Sequence, residues 1–211
     1  SFGTPVVFAS AGTSQIGATY DSANDKVVIA YRDNGNSNYG TAIVGSVSGD
    51  SISFGTETVF ESARSEKMSV TYDISAEKVV IAYRDFGNSN YGTAIVGTVS
   101  GSGISFGTPT VYENASCDTM SATYDIVSKR VVIAYRNVGN SFFGTAVVGT
   151  ISGSDISFGT SVVFNSATTS FISAIYDVAA GKILIAYRDR GNSNYGTNII
   201  GTVSDTTISC G

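Results

Sequence analysis

Apolar positions along the chain fall into short runs, and the runs return. In KVVIAYRD (26–33), Val27, Ile29 and Tyr31 share one face, while Val28 and Ala30 share the other with Arg32. A segment apolar on both faces reads as a strand covered on both sides. It is preceded by IGATYD (16–21), whose Gly17, Ala18 and Thr19 are small enough for a crowded place near an axis. It is followed by GTAIVGSV (40–47) and SISFGTETVF (51–60). Val, Ile, Tyr, Thr and Phe fill these runs and Gly, Asn, Asp and Ser separate them, which is strand and turn chemistry. Helical periodicity is nowhere sustained. DSANDK (21–26) and VSGDSIS (47–53) are short enough to be tight hairpins between consecutive strands.

The pattern recurs every 52 residues without insertion or deletion. The loop RDNGNSNYG at 32–40 returns as RDFGNSNYG at 84–92, RNVGNSFFG at 136–144 and RDRGNSNYG at 188–196. The units are 1–52, 53–104, 105–156 and 157–208, with a stub, Ser209-Cys210-Gly211, that repeats the start of a unit. Four short strands per unit at a period of about 50 predict one blade of a β-propeller. The expected fold is all-β: one four-bladed propeller domain over 1–211. Its innermost strand is the ATYD type, followed by KVVIAYRD, GTAIVGTV and the outer ISFGTPVVF. This phasing leaves residues 1–8 as an outer strand without its own blade. That strand is expected to complete the last blade and close the ring, competing with 209–211 for one place. A β-solenoid needs coils of about 20–30 residues, and a large barrel needs cleaner alternation than these strands show.

In unit length and number the whole chain resembles four-bladed propellers of the hemopexin-like kind. In style it resembles lectin propellers of the tachylectin type, with one sugar site per blade. The stretch KVVIAYRD-x-GNSNYGTAIVGTVSG is also similar to repeats in proteins of marine organisms and their viruses. The chain departs from hemopexin repeats in its aromatic motifs and lacks the S-x-D-x-G-x-x-W box of sialidase-type propellers. The lectin resemblance implies carbohydrate recognition, in an extracellular or virion-associated setting.

Composition narrows the functions. Apolar residues are 42% of the chain and charged residues only 14%, so the surface is dressed in Ser, Thr, Asn and Gly. With a net charge of −5 and no cluster of basic residues beyond Lys129-Arg130, nucleic acid and anionic membrane surfaces are poor partners. No apolar stretch approaches the ~20 residues of a membrane-crossing helix. There is no signal-peptide pattern; beginning at Ser1, the chain is expected to be cut from something longer. Histidine is absent, which removes Ser-His-Asp and Cys-His catalysis and histidine metal sites. Cys117 and Cys210 admit one disulfide.

The repeated loop and the variable stretches ASAGTSQ (9–15), ESARSEK (61–67), ENASCDT (113–119) and NSATTSF (165–171) are expected to emerge on one face. The candidate ligand-binding set is Arg32, Asp33, Asn36, Asn38 and Tyr39, with Arg84, Asp85, Asn88, Asn90 and Tyr91, and Arg188, Asp189, Asn192, Asn194 and Tyr195. Amides and carboxylates suit sugar hydroxyls, and a tyrosine ring suits the apolar face of a pyranose. The competing account makes the same residues a turn, with Asn side chains bonding their own backbone. The third unit, with Asn137 and Phe142-Phe143, would be a degenerate site. The arginines also suit bidentate pairing between blades. Asp21, Asp73, Asp125 and Asp177 oppose Lys26, Lys78, Arg130 and Lys182 across the other hairpin, as surface pairs. One Asp per loop is thin for calcium, so no metal or cofactor is expected. No unshared acidic pair marks an enzyme. The expected function is non-catalytic carbohydrate recognition with glycans as partners; the alternative is a structural or protein-interaction propeller without a small ligand.

Overall fold

A computed structural model describes residues 3–211. Sixteen strands follow one another among the described residues. The first unit supplies β1 (Thr13–Asp21), β2 (Lys26–Asp33), β3 (Tyr39–Ser48) and β4 (Ser51–Phe54). Then come β5 (Thr58–Asp73), β6 (Lys78–Asp85), β7 (Tyr91–Ser100) and β8 (Gly103–Phe106). They are succeeded by β9 (Thr110–Asp125), β10 (Arg130–Asn137), β11 (Phe143–Ser152) and β12 (Asp155–Phe158). The last are β13 (Val162–Asp177), β14 (Lys182–Asp189), β15 (Tyr195–Ser204) and β16 (Thr207–Cys210). A single 3-10 turn, Phe86–Asn88, is the only helical element among the described residues, and none is long enough to cross a membrane.

Every strand pair is antiparallel, and the register repeats: Val27 faces Gly45, Val79 faces Gly97, Val131 faces Gly149 and Ile183 faces Gly201. The KVVIAYRD and GTAIVGTV runs each form one strand as read, but the outer run does not. SISFGTETVF breaks at Gly55–Glu57, Ser51–Phe54 forming β4 and Thr58–Phe60 opening β5, which continues into the next inner run. The variable stretches differ from expectation, because they are not loops. They lie inside β5, β9 and β13, each 16 residues long. The start of β5 pairs with β3, and its end pairs with β6. One strand thus serves two sheets. The passage between them is a bulge: the register shifts between Glu66 and Ser69, with Lys67 at φ 55°. Gln15, Thr119 and Phe171 occupy the equivalent left-handed positions in β1, β9 and β13.

The core is divided among three junctions. Val28, Ala30, Ala42 and Val44 of the first unit meet Phe60, Tyr72, Ile81 and Tyr83. Val80, Ala82, Ala94 and Val96 meet Tyr112, Tyr124, Ile133 and Tyr135. Val132, Ala134, Ala146 and Val148 meet Phe164, Tyr176, Ile185 and Tyr187. The middle strands β6 and β10 are buried from Val79 to Tyr83 and from Val131 to Tyr135. The small-residue strands pack side by side, β1 on β5, β5 on β9 and β9 on β13. A Cβ on Gly17 would stand 2.9 Å from the Val70 side chain.

Ring closure does not occur as expected. The pairing path has two ends, β1 and β16, and β15 pairs only with β14 and β16. Residues 3–12 form no strand. Instead Phe8 stacks on Tyr31 and Phe54 of the first unit, as Phe60 stacks on Tyr83 and Phe106. The amino-terminal segment therefore lies against the first unit rather than completing the last. Its physical anchor is that aromatic triplet, built from its own following sequence. Ser1 and Phe2, part of the expected competition for one place, lie outside the described residues.

Candidate functional site

The repeated loop is a hairpin whose sequence is dictated by its backbone. Ser37 and Asn38 both have positive φ, 52° and 64°, and Ser89-Asn90, Ser141-Phe142 and Ser193-Asn194 repeat this. The amide of Tyr39 donates to the carbonyl of Asn36 at 2.9 Å, closing the two-residue turn. Two consecutive left-handed residues match the twist of the flanking strands, and Asn tolerates the conformation. Phe142 adopts it without that tolerance. Just before the turn, Asp33 accepts from the amides of Gly35 at 2.9 Å and Asn36 at 3.2 Å. Asp85 does the same for Gly87 and Asn88, and Asp189 accepts from Gly191. Asn137 substitutes with its side-chain oxygen, accepting from Asn140 at 3.1 Å. Gly35 is fixed by close approach: a Cβ there would lie 2.4 Å from that of Ala11.

The loop and the variable stretch do share a face, as expected. The Asn34 amide donates to the Gly12 carbonyl, and the Ser65 amide to the Asn38 carbonyl. Asp33 and Asp85 are buried in this arrangement and occupied by their own turns. The arginines are engaged too. Glu66 is the hub: Arg32 donates to it at 2.6 Å, Arg64 at 2.5 Å and Arg84 at 2.5 Å. Burial pushes the Glu66 carboxyl up, but the Arg64 and Arg84 guanidiniums outweigh that and hold it below its ordinary value. Arg136, which has no aspartate beside it, pairs with Asp118 instead, and Asp118 also meets Lys67 at 3.3 Å. The carboxyl of Asp118 is raised by burial and lowered more strongly by Arg136 and Lys67. Arg188 has no ion pair among the described residues and stacks 4.7 Å from the Phe171 ring centre. Arg84 and Arg64 both lie over Phe86.

The amides are left over. Among the described residues, the side chains of Asn36, Asn88 and Asn192 make no hydrogen bond and are exposed, so the aspartates, not the asparagines, hold the turn. Tyr39 and Tyr91 are half-buried at the rim and Tyr195 is exposed. Asn38 is half-buried, Asn194 is exposed, and the Asn90 side-chain oxygen is buried without a partner.

Three residues of this face were missed by sequence reasoning: Arg64, Glu66 and Asp118. Their signal is weak, since they sit in the stretches that vary most. The expected Asp–Lys pairs of the opposite hairpin are not formed: the Asp21 carboxylate accepts from the Ala23 and Asn24 amides, and Asp73, Asp125 and Asp177 cap their turns likewise. On that opposite side, Thr71, Tyr72, Thr123, Tyr124 and Tyr176 line a depression of about 360 Å³ shared by all four units. The two cysteines are not bonded; Cys117 is buried and burial raises its thiol pKa.

No family model matches the chain, and no curated protein matches it. Among solved structures it is similar to the leech intramolecular trans-sialidase complexed with 2,7-anhydro-Neu5Ac, a β-propeller protein, with a TM-score of 0.57 and 10% identity. The likeness covers 92% of this chain and 30% of that one, so the chain spans less than a third of the sialidase's length. At that identity it speaks to the fold: antiparallel, all-β and propeller-like.

Proposed function

We propose that the four units are propeller blades in an open arc, and that the chain is a non-catalytic carbohydrate-recognition module. The observation that carries this is the division of labour in the repeated loop. Asp33, Asp85 and Asp189 hold the turn, Arg32, Arg84 and Arg136 are held by Glu66 and Asp118, and the Asn36, Asn88 and Asn192 amides are exposed and free in a loop that ends on Tyr39, Tyr91 and Tyr195. An amide offers both donor and acceptor to a hydroxyl pair, and a ring packs on a sugar's apolar face. Within the expected set, Asn and Tyr would make the direct contacts, with Arg and Asp positioning them. Arg188, free of an ion pair, is the arginine best placed to contact ligand directly. Several weak sites on one face gain by avidity on a glycan-coated surface outside the cell or on a virion. The 2,7-anhydro-Neu5Ac held by the similar leech protein makes sialylated glycans a sensible first set to include.

A glycan array, run with and without calcium, tests the reading. A related set of bound glycans is expected, lost when Asn36, Asn88 and Asn192 are all changed to alanine with Tm unchanged. No binding at high protein concentration overturns it. A protein-interaction propeller without a small ligand is the second reading, favoured by how completely Asp33 and Arg32 are used internally. Loss of Tm in the triple variant would favour that one.

A further inference from the structure

The three internal junctions are built alike, and the two ends of the molecule hold the two halves of a fourth. At the amino-terminal end, Tyr20 is 53% exposed, whereas its counterparts Tyr72, Tyr124 and Tyr176 are 7–9% exposed because a preceding unit covers them. Ile16 is 56% exposed against 9% for its counterpart Ile172. At the carboxy-terminal end, Ile200, Ala186 and Asn198 are exposed, while their counterparts Val44, Ala30 and Ala42 are buried.

The backbone is unfinished in the same places. In the first unit, Gly40, Thr41 and Ala42 of β3 pair with Glu61, Val59 and Thr58 of the next strand, and β7 and β11 are completed likewise. In β15, the matching residues Gly196, Thr197 and Asn198 have no strand on that side. The slot is visible in the glycines. A Cβ on Gly40, Gly92 or Gly144 would strike the ring of Phe60, Tyr112 or Phe164 at 2.4–2.5 Å, whereas one on Gly196 meets nothing within 4 Å. The residue that stands 52 positions before Phe60 is Phe8, in a segment without a strand partner. A polar contact is poised as well. The Ser69 hydroxyl accepts from the Ala122 amide across one junction at 2.8 Å, and Ser121 accepts from Ala174 across the next at 2.9 Å. The next in that series are Ser173, exposed at one end, and Ala18 at the other.

We propose that a second copy of this chain docks head-to-tail, its residues 6–9 pairing along Gly196–Asn198 and its Phe8 covering Gly196. The contact is heterologous, so it either closes a ring of two copies or extends into longer assemblies. A neighbour of this kind also removes an exposed apolar face and an open strand edge, both of which favour association. The same internal junction, continued across copies, supplies the complementarity.

Sedimentation velocity of the 211-residue chain across the micromolar range reads the proposal. The expected mass rises with concentration to two copies or more. Ile16→Glu blocks one end and Gly196→Leu the other; both positions are free of close contacts or exposed in the single copy, and circular dichroism checks that each variant folds. Each variant alone is expected to lose self-association by about a hundredfold, as burying an unpaired charge or filling the slot demands. Mixed, each retains the half that the other lacks, so a two-copy complex returns. Independently of any variant, the Gly196 and Asn198 amides, which point to the free edge of β15, are expected to gain hydrogen-exchange protection as concentration rises. A monomer at every concentration overturns the proposal. So does association that survives in both variants separately, or two variants that never pair.

Discussion

Strands β7 and β15 are nearly the same sentence, YGTAIVGTVS and YGTNIIGTVS, in opposite surroundings. In β7 the residues from Gly92 to Gly97 are buried; in β15 the corresponding stretch is mostly exposed until Gly201. The register is identical, since Ala82 faces Ala94 as Ala186 faces Asn198, and the sequences differ only by Asn198 for Ala94 and Ile200 for Val96. What differs is whether another unit follows. Burial here is a property of the neighbour rather than of the segment, and a residue's worth in kcal/mol changes with its place in the row.

That contrast can be broken most forcefully in the core. Ile133→Ala, in a fully buried strand, is expected to cost about 2–5 kcal/mol in urea unfolding. Ile200→Ala, on the uncovered face, is expected to stay within about 0.5 kcal/mol. Similar costs at both sites would mean that the end face is covered even in the single copy. The charge hub comes next. Glu66→Gln leaves Arg32 and Arg84 without their shared carboxylate and is expected to cost about 2–3 kcal/mol at neutral pH. Glu66 is held below the ordinary carboxylate value, so an unfolded chain takes up its proton first, near pH 4.3. Its contribution is therefore full above that pH and is lost as pH falls through the lowered folded value. The difference between wild type and Glu66→Gln should shrink on acidification; a constant difference would deny the ion-pair origin. The smallest effect is at the turns. Asp85→Ala removes two hydrogen bonds to loop amides and is expected to cost about 1 kcal/mol. Asp189→Ala, with one such bond in the exposed last loop, should cost less.

The hairpins and the in-register strands were legible because turn chemistry and alternation act locally. GNSN writes its two left-handed residues openly, and Asp33 sits where an aspartate caps a turn. The bulges were not legible. Left-handed Gln15, Lys67, Thr119 and Phe171 carry none of the Gly or Asn signature that such positions usually show, so variable stretches inside strands read as loops. With the bulge hidden, the placement of Glu66 opposite Arg84 was hidden too, and with it the fate of the arginines. Ring closure was not legible, because repeat phasing tells which strand is missing a sheet, not whether four units bring the two ends together. Phe8 stacks on Tyr31 and Phe54 as Phe60 does on Tyr83 and Phe106, yet Phe60 also lies against Gly40 of the preceding unit, whereas nothing lies within 4 Å of a Cβ on Gly196.

The long strands β5, β9 and β13 also decide how the molecule comes apart. Each carries hydrogen bonds of two sheets along one uninterrupted stretch of backbone. Pulling the chain from its ends cannot extract one unit while leaving the next intact, because the shared strand must let go of both. Stretched in a force spectrometer, such a molecule yields in coupled events rather than as four equal, independent steps. Cutting the polypeptide at a repeat boundary would sever a structural beam, not trim a link.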